Sequence, residues 1–550
     1  MPDSIHSTMM PMPLSLNHLL DRAGTLFAGN EIVSRAPDKS LRRHRYGEVY
    51  RRTRALAGAL QGLGLRKGDR VATLCWNHHA HLECYFGIPA AGGVMHTLNL
   101  RLSPDEIGWI AGDAADRFLV VDDVLLPLFR QFALLHRFEH VIVFPFSGAA
   151  VPAEFIDYEK LIADSDPDRF DYAPHDENDP VAMCYTSGTT GRPKGVVYSH
   201  RSTVLHSLVG CLADFWCLHG SDAVLTVTPM FHANSWGLPY AAVMLGTKII
   251  FPGPHMHPED LLDLITQEPP TLALGVPTIW MTLIQAYEAS LPAGAANHGR
   301  WKLPRGMKSL VGGAAVPESL IRAFAKYDIR ILQGWGMTET SPLATVSYPR
   351  AELQDASEDE RFRRASLAGV PVPLVDLRVR GDAGTDQPWD GHSVGEIQVR
   401  GPFITGSYHG VGSPEDKFTA DQWLRTGDVA SVDALGFVKI SDRTKDLIKS
   451  GGEWISSVDL ENALMAHPAV AEAAVIAIPH PKWGERPLAC VVLKPGQAAS
   501  QEEFAAHLAA KGFAKWQLPD RYEFIDAIPR TSTGKFWKMK LRERFAAHAG

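Results

Sequence analysis

A loop rich in glycine and hydroxyl side chains constrains this chain more than any other stretch. It runs from Tyr185 to Gly195 and reads YTSGTTGRPKG. Short apolar runs at 181–185 and 196–198 flank it, so we predict a strand on each side. Its three glycines, four serine or threonine residues and Lys194 make a flexible turn whose donors can surround phosphate oxygens.

Two other interpretations of this loop were weighed against phosphate binding. Clusters of glycine, serine and threonine usually form surface hairpin turns that bind nothing. The Walker A loop of P-loop nucleotidases needs a glycine, four further residues and then Gly-Lys followed by serine or threonine. Here Pro193 precedes Lys194 and Gly195 follows it, which excludes the Walker A motif.

The spacing of apolar residues predicts a layered α/β domain in the larger, first part of the chain. A helical pattern covers 48–62, and apolar runs at 70–75, 118–122 and 140–144 are typical of strands. Strands that alternate with helices indicate a largely parallel sheet. The charged segment 355–364 is typical of a solvated loop or helix face.

A different pattern begins after residue 442. Its predicted elements are helices at 460–465 and 504–511 and strands at 470–478, 488–493 and 522–525. Together they make a compact α+β module of about one hundred residues, a size that folds alone. The pattern therefore predicts a domain boundary at 442–445.

Composition excludes several classes of protein. At 550 residues the chain is too long for one ordinary core, and its net charge of −8 opposes general nucleic-acid binding. The six cysteines lack metal-ligand spacing, the N-terminus lacks a basic signal-peptide region, and charges such as Lys248 interrupt every long apolar run. We expect a cytoplasmic protein without a transmembrane segment, and we leave open a peripheral membrane contact and a homodimer.

Two further clusters combine glycine with polar or aromatic side chains. The segment 229–236 contains His232 and Trp236. The segments 312–314 and 334–340 are rich in glycine, which lets a flat ring approach the backbone closely. Taken singly, such residues belong more often to a packed core or a surface turn.

Three charged turns complete the set of motifs. Residues 426–428 read Thr-Gly-Asp, the segment 441–455 is charged and contains two consecutive glycines, and 529–535 ends in Thr-Gly-Lys. A carboxylate such as Asp428 can accept hydrogen bonds from both hydroxyls of a ribose. A hard cation bound to phosphates needs a carboxylate, which Glu339 offers after its glycine-rich turn. Each motif alone is weak, because most such turns are only solvated.

In this order along the chain, the motifs resemble the adenylate-forming superfamily of acyl- and aryl-CoA synthetases, peptide-synthetase adenylation domains and beetle luciferases. The stretches 239–242 and 251–254 make it most similar to medium- and long-chain fatty-acyl-CoA synthetases, which are related to methylthiopropionate-CoA ligases. The resemblance implies a large α/β N-terminal domain of several subdomains at 1–442 that binds AMP and the acyl group. It also implies a hinge at 443–445 and a small, mobile, catalytic α+β domain at 446–550.

The resemblance also implies roles for individual residues. Lys535, Glu339 and His232 would be catalytic, Lys445 would be the hinge residue, and Gly451 and Gly452 would line the CoA tunnel. The acyl pocket and its gate would contain His232, Trp236 and Gly237, and we predict Thr186 and Glu339 as the Mg²⁺ ligands. The implied ATP and AMP contacts are Thr186, Ser187, Gly188, Thr189, Thr190, Gly191, Lys194, Gly312, Gly313, Ala314, Gly334, Trp335, Gly336, Met337, Thr338, Asp428, Arg443, Lys449 and Trp454.

The predicted function is a two-step ligation in which a fatty acid of medium to long chain is activated by ATP with Mg²⁺ and then transferred to CoA. The small-molecule partners are thus a carboxylic acid, ATP and CoA. Candidate pocket segments carry Leu238, Val276 and Ile279 without a cation for a second carboxylate, which favours an apolar acid. The alternatives are a ligase for a short thioether acid or for an aryl or other carboxylate, and an adenylating oxygenase. Two others are a carrier-protein adenylation domain, for which no carrier domain follows residue 550, and a non-catalytic nucleotide-binding protein.

Overall fold

The structure is a computed structural model that describes residues 7–186, 192–292, 299–381, 383–451, 453–531 and 535–546. Several predicted site residues lie outside these ranges, namely Ser187, Gly188, Thr189, Thr190, Gly191 and Gly452. The cysteines all lie within the ranges, and none of them forms a disulfide. Among the described helices, none combines the length and the apolar character that a membrane span requires.

The first sheet is parallel except at the strand that follows the glycine-rich loop. In spatial order its strands are β7 (Ile156–Asp157), β6 (His140–Phe144), β5 (Phe118–Asp122), β3 (Arg70–Leu74), β4 (Val94–Thr97), β8 (Pro180–Tyr185) and β9 (Gly195–Ser199). Strand β9 turns back antiparallel to β8, with Tyr185 opposite Gly195. The predicted strand–loop–strand around the glycine-rich loop is therefore confirmed as a hairpin.

The second sheet is also mostly parallel, with antiparallel strands at both edges. In spatial order its strands are β16 (Val370–Pro371), β15 (Leu343–Val346), β14 (Arg330–Gly336), β13 (Lys308–Gly312), β12 (Leu272–Gly275), β10 (Ala223–Leu225), β11 (Lys248–Phe251), β1 (Glu31–Arg35) and β2 (Leu41–Arg45). The carboxyl ends of β13 and β14 carry Gly312 and Gly336, and in such sheets ligands bind at this edge.

Helices cover both sheets on each face. In chain order they are α1 (Leu16–Leu26), α2 (Tyr46–Gly62), α3 (His79–Ala90), α4 (Pro104–Asp113), α5 (Leu126–Phe132), α6 (Tyr158–Ala163), α7 (His200–Gly210), α8 (Ala233–Trp236), α9 (Leu238–Leu245), α10 (Pro258–Gln267), α11 (Pro277–Ala289), α12 (Glu318–Ala325) and α13 (Glu358–Ala365). Helices α2, α3 and α9 share a core with both sheets, whereas α10 to α12 pack on the outer face of the second. Helix α13 buries none of its residues, as predicted for that charged segment.

A third, antiparallel sheet follows that the sequence did not predict. It consists of β17 (Asp376–Arg380), β18 (Gly395–Arg400), β19 (Leu424–Val432) and β20 (Val438–Arg443). Neither β18 nor β19 alternates strictly, since β18 has three consecutive buried residues and β19 ends in five, so the period-2 signal of these strands is weak. Strand β20 brings Arg443 opposite Asp428 of β19.

The remaining residues form a separate α+β unit with its own hydrophobic clusters. Its elements are β21 (Ile448–Ser450), β22 (Glu453–Ile455), α14 (Ser457–Met465), β23 (Val470–His480), β24 (Gly484–Leu493), α15 (Gln501–Ala510), β25 (Arg521–Phe524) and α16 (Lys538–Ala546). Capping residues start its helices, because Ser456 and Ser500 accept hydrogen bonds from the first turns of α14 and α15. The prediction of an α/β domain followed by a small α+β domain is confirmed.

Candidate active site

Two adjoining cavities of about 430 and 420 Å³ lie where the C-terminal unit meets the carboxyl edge of the second sheet. Both are lined by the glycine-rich segments of β13 and β14 and by residues next to the predicted hinge. Residues common to both are Gly313, Gly334, Gly336, Met337, Thr426, Arg443, Lys445 and Lys535. The structure thus brings together motifs that lie more than two hundred residues apart in the sequence.

Lys535 reaches this site from the C-terminal unit. Its Cε lies 3.4 Å from the position that a Cβ would take on Gly313. Burial of the ammonium lowers the pKa of Lys535 to about 8, and repulsion from Arg443 acts in the same direction. The carboxylates of Asp428 and Glu339 oppose that shift and favour the charged form. A lysine held this way is a strong electrostatic partner for an anion at neutral pH.

Backbone without side chains forms one wall of the cavities. A Cβ on Gly312 would lie 2.6 Å from the carbonyl oxygen of Gly334, and one on Gly336 would lie 1.8 Å from that of Pro342. Neither distance is tolerated by real atoms, so the close approach of these segments requires glycine. Gly313, Gly334 and Gly336 line both cavities, and backbone without side chains lets a planar ring such as adenine approach closely.

Asp428 is held in a fixed position at the edge of this wall. The indole N–H of Trp335 donates to Asp428 Oδ2 over 2.7 Å, and Arg443 Nε lies 3.4 Å from Oδ1. Asp428 is only 9% exposed and lies beside the glycine-rich wall. A buried carboxylate held by two donors is preorganised to accept further hydrogen bonds from a diol.

If Asp428 binds the ribose as predicted, replacing it with alanine should raise the KM for ATP roughly tenfold, because its hydrogen bonds to the ribose would be lost. Steady-state kinetics with ATP as the varied substrate measures this change. Asp428→Asn is the matched control, since it keeps an oxygen acceptor and should lose less. A normal KM for ATP in the alanine variant would contradict the ribose-binding role.

Thr186, Lys194 and Glu339 face the second cavity. The backbone N–H of Lys194 donates to the hydroxyl of Thr186 over 3.1 Å, and the N–H of Thr186 donates to the carbonyl of Lys194 over 3.0 Å, so the ends of the glycine-rich loop are tied together. The phenol of Tyr408 donates to Glu339 Oε1 over 2.7 Å, and Lys194 Nζ lies 5.0 Å from the centre of the Tyr408 ring. Tyr408 therefore connects the loop to the carboxylate.

The donor set here fits a hard divalent cation that also binds phosphate oxygens. Glu339 is only 6% exposed and presents one carboxylate oxygen beyond its bond to Tyr408. The hydroxyl of Thr186 lines the same cavity, and hydroxyl and carboxylate oxygens are the ligands that Mg²⁺ prefers. The predicted metal ligands are thus close enough to serve one cavity.

His232 and Trp236 form the other side of the second cavity. Burial lowers the pKa of His232 to about 3, and the nearby Lys535 and Arg101 add to that effect, so the imidazole is neutral at pH 7. A neutral imidazole can donate a hydrogen bond to a carboxylate without weakening its nucleophilicity as a full positive charge would. The predicted place of His232 beside the acid is compatible with this geometry.

An unusual backbone positions Trp236. The segment labelled α8 is a left-handed turn and not a right-handed helix, because residues 233–236 all have φ between 43° and 58°, and Gly237 follows at 77°. Left-handed conformations cost roughly 1–2 kcal/mol for each residue with a side chain, so this turn is strained. It places the Trp236 indole 3.6 Å from the Cβ position of Gly312. There the ring lines the second cavity on one side and belongs to the hydrophobic core on the other. Strain of this size is typical of functional segments.

Lys449, Gly451 and Trp454 lie apart from the residues described above as lining the two cavities. Lys449 Nζ lies 4.2 Å from the centre of the Trp454 ring, and Trp454 is 40% exposed. Gly451 adopts φ of 62° beside the ring of Trp483. In this arrangement of the domains, the predicted nucleotide contacts on β21 and β22 and the predicted CoA-tunnel glycine are on the outer surface.

The sequence did not single out Tyr408, Asp416 and Lys417, which also line the second cavity. They lie in a loop whose backbone joins the site at two points, because Thr405 N–H donates to the Glu339 carbonyl and His409 N–H donates to the Gly195 carbonyl. No short motif marks this loop. Only its sequence position shortly before β19 could have suggested it.

Comparison with protein families gives two matches. A model described as "AMP-binding enzyme" matches residues 25–409, and one described as "AMP-binding enzyme C-terminal domain" matches residues 459–535. The first match contains the glycine-rich loop, Glu339 and Tyr408. The second ends at Lys535.

Individual relatives align over nearly the whole chain. A long-chain-fatty-acid–CoA ligase of Thermus thermophilus is 47% identical over 547 residues, which are 99% of this chain and 98% of the relative. A 3-methylmercaptopropionyl-CoA ligase of Ruegeria lacuscaerulensis is 43% identical over 544 residues, 98% of each chain. Among solved structures, an anthranilate CoA ligase in complex with anthranoyl-AMP matches with a TM-score of 0.85 and 26% identity, covering 99% of this chain and 100% of that one.

Proposed function

The chain belongs to the AMP-binding enzyme family, and from this premise we propose that it is an acyl-CoA synthetase that activates a medium- to long-chain fatty acid. In the first step a carboxylate oxygen attacks the α-phosphorus of ATP, the bond to the bridging oxygen breaks, and pyrophosphate leaves. In the second step the sulfur of CoA attacks the acyl carbon, the acyl–phosphate bond breaks, AMP leaves and the thiol proton is released.

The observation that carries this proposal is the position of Lys535 in one site with Glu339, Asp428 and His232. The first step forces one anion onto another, and two unit charges about 4 Å apart repel by roughly 4 kcal/mol at an effective dielectric of about 20. The ammonium of Lys535 offsets that repulsion at the reacting oxygens, and Lys194 holds the leaving pyrophosphate. Mg²⁺ on Thr186 and Glu339 would neutralise further charge on the phosphates.

The second step requires a different face of the C-terminal unit. We propose that the unit turns about the hinge at 443–445, where β20 ends and the N–H of Asp446 donates to the carbonyl of Arg443 over 2.8 Å. Rotation there would withdraw Lys535 and bring Gly451 and the β21–β22 hairpin toward the acyl-AMP. The exposure of Lys449 and Trp454 in the present arrangement supports this alternation.

Apolar groups near Trp236 support a fatty acid as the substrate. Val276, Pro342 and Leu343 line the cavity beside the indole, and Leu238 is fully buried behind it. Each methylene that such a pocket buries contributes about 0.8 kcal/mol to binding. Affinity should therefore rise with chain length until the pocket ends.

A short thioether acid is the second candidate, favoured by the packing behind the gate. The ring of His206 lies 2.8 Å from the Cβ position of Gly237, and His206 packs edge-on against Phe215, Trp216 and Phe403. An acyl chain that extends past Gly237 would meet these rings, so a long acid on that path requires them and Trp236 to move. A short acid needs no such displacement.

A panel of acids separates the two candidates. We expect pyrophosphate release to require an acid, thioester formation to require CoA, and kcat/KM to rise from butyrate to octanoate and laurate. Trp236→Ala should flatten or shift this profile. If methylthiopropionate or butyrate is the best substrate of the wild type, the short-acid function replaces the proposed one. ATP binding without pyrophosphate release for any acid would identify a nucleotide-binding protein instead.

We also propose a cytoplasmic location and keep a homodimer as a prediction. The six cysteines are all free, which supports a reducing compartment. Light scattering of the purified protein measures the oligomeric state directly.

A further inference from the structure

A cluster of charges with low exposure lies at one side of the first cavity, where the C-terminal unit meets strand β20. The ammonium of Lys538 lies 2.7 Å from Glu461 Oε1 and donates to the hydroxyl of Ser457. That hydroxyl and the backbone N–H of Ser457 both donate to Asp442 Oδ2, the latter over 3.0 Å. Asp442 is 2% and Glu461 7% exposed, so water contributes little to solvating this cluster.

The cluster spans the proposed hinge. Asp442 belongs to β20 and precedes the hinge, whereas Ser457 and Glu461 lie on α14 and Lys538 begins α16. A second bond crosses at the same place, because the hydroxyl of Ser456 donates to the carbonyl of Ser441 over 2.6 Å. Rotation about the hinge must break the bonds to Asp442, while the pair of Lys538 and Glu461 can move as one body.

Lys538 is joined to Lys535 through a short, constrained segment. Only two residues separate them, and Trp537 N–H donates to the carbonyl of Pro529 over 2.7 Å. On the other side, Thr531 N–H donates to the carbonyl of Lys535 over 2.8 Å. The start of α16 therefore fixes the direction from which the Lys535 side chain enters the site.

The charged side chains of the cluster, Asp442, Glu461 and Lys538, depend on one another. Burial raises the pKa of Asp442 and raises that of Glu461 to about 7, while the ammonium of Lys538 opposes both shifts. The carboxylate of Asp442 also faces the N-terminus of α14, where the helix dipole favours a negative charge. Each group is thus stabilised by the others only when β20, α14 and α16 meet as they do here.

We propose that Asp442 and Lys538 are positioning residues that hold Lys535 in the acid site during acyl-AMP formation. The bonds to Asp442 are released when the C-terminal unit turns for the transfer to CoA. This inference rests on the proposed two-step function. Neither residue contacts the substrate in this role.

The test measures the two half-reactions separately in Asp442→Asn and Lys538→Met. The single-turnover rate constant for acyl-AMP formation should fall about tenfold, a typical size for coupling between two sites, while the ATP concentration that gives half of the maximal rate stays nearly unchanged. Thioester formation from supplied acyl-AMP should stay within about twofold of the wild type, because that step does not use Lys535. Lys538→Arg should restore part of the lost rate by keeping the charge.

A partly exposed ion pair within the C-terminal unit, outside the residues that line the two cavities, provides the control. Arg521 pairs with Glu523 on β25, with side chains 36% and 24% exposed, and such pairs contribute little. Arg521→Ala should therefore leave both half-reactions unchanged. Equal loss in both half-reactions for Asp442→Asn, or no loss in either, would overturn the inference. If Lys538→Met does not fold, the result for Asp442→Asn alone is the test. Failure of the wild type in both half-reactions would instead refute the proposed function.

Discussion

Replacing Lys535 with alanine is expected to lower the rate of acyl-AMP formation by roughly 10²-fold or more, the scale of one lost preorganised charge contact in a transition state. The side chain of Lys535 lies where the two cavities adjoin, so it faces Asp428 in the first and Glu339 and His232 in the second. In the variant, the negative charge that develops on the oxygens of the α-phosphorus therefore lacks the positive charge of Lys535. Pyrophosphate release in a single turnover measures the effect.

The pH dependence of the wild type provides an independent check on Lys535. Since burial lowers its pKa to about 8, the charged form is present below pH 8 and is lost as the pH rises through that value. The profile of kcat/KM for ATP reports the free enzyme, so it should fall on the alkaline side near pH 8. That fall should be absent in Lys535→Ala, and Lys535→Arg should move it to higher pH.

Thioester formation from supplied acyl-AMP is the internal control for Lys535→Ala. It should stay near the wild-type rate, because the proposed second step presents a different face of the C-terminal unit. An equal loss in both half-reactions would mean that Lys535 supports the structure of the site and not the chemistry of one step.

Elements whose signal is local could be predicted from the sequence. The strand–loop–strand around the glycine-rich loop, the strands at 118–122 and 140–144, and the α+β unit after residue 442 agree with the structure. Each has a continuous apolar run bounded by turn residues, and such runs specify an element without knowledge of its neighbours. The motifs of the site could also be predicted, because glycine and charged residues in short turns mark them.

Contacts between distant segments could not be predicted in the same way. The bond from Trp335 to Asp428 joins residues 93 positions apart, and that from Tyr408 to Glu339 joins residues 69 apart. Both depend on how the third sheet sits against the second. The left-handed turn at 233–236 is a further case, because a run of residues with side chains at positive φ opposes the local preference. Only the surrounding packing maintains it.

The negative charge of Glu339 is the feature that a bound cation would require. Glu339→Gln is expected to lower acyl-AMP formation roughly 10²-fold at a fixed, low Mg²⁺ concentration, and higher Mg²⁺ should restore part of the rate. The amide keeps an oxygen that can accept from Tyr408, so the loop around residue 408 should stay in place. The decisive measurement is the Mg²⁺ concentration for half-maximal activity, which should rise in this variant.

Tyr408→Phe separates the charge of Glu339 from its orientation. This variant removes the hydrogen bond to Oε1 but keeps the ring that lies 5.0 Å from Lys194. Because the carboxylate remains charged, we expect a loss of only about tenfold, the size of a hydrogen bond to a charged group, and a smaller rise in the Mg²⁺ requirement. If Glu339→Gln loses activity while its Mg²⁺ requirement equals that of the wild type, Glu339 does not bind the metal. Its carboxylate would then act on the site through Tyr408 and the electrostatic field at Lys535.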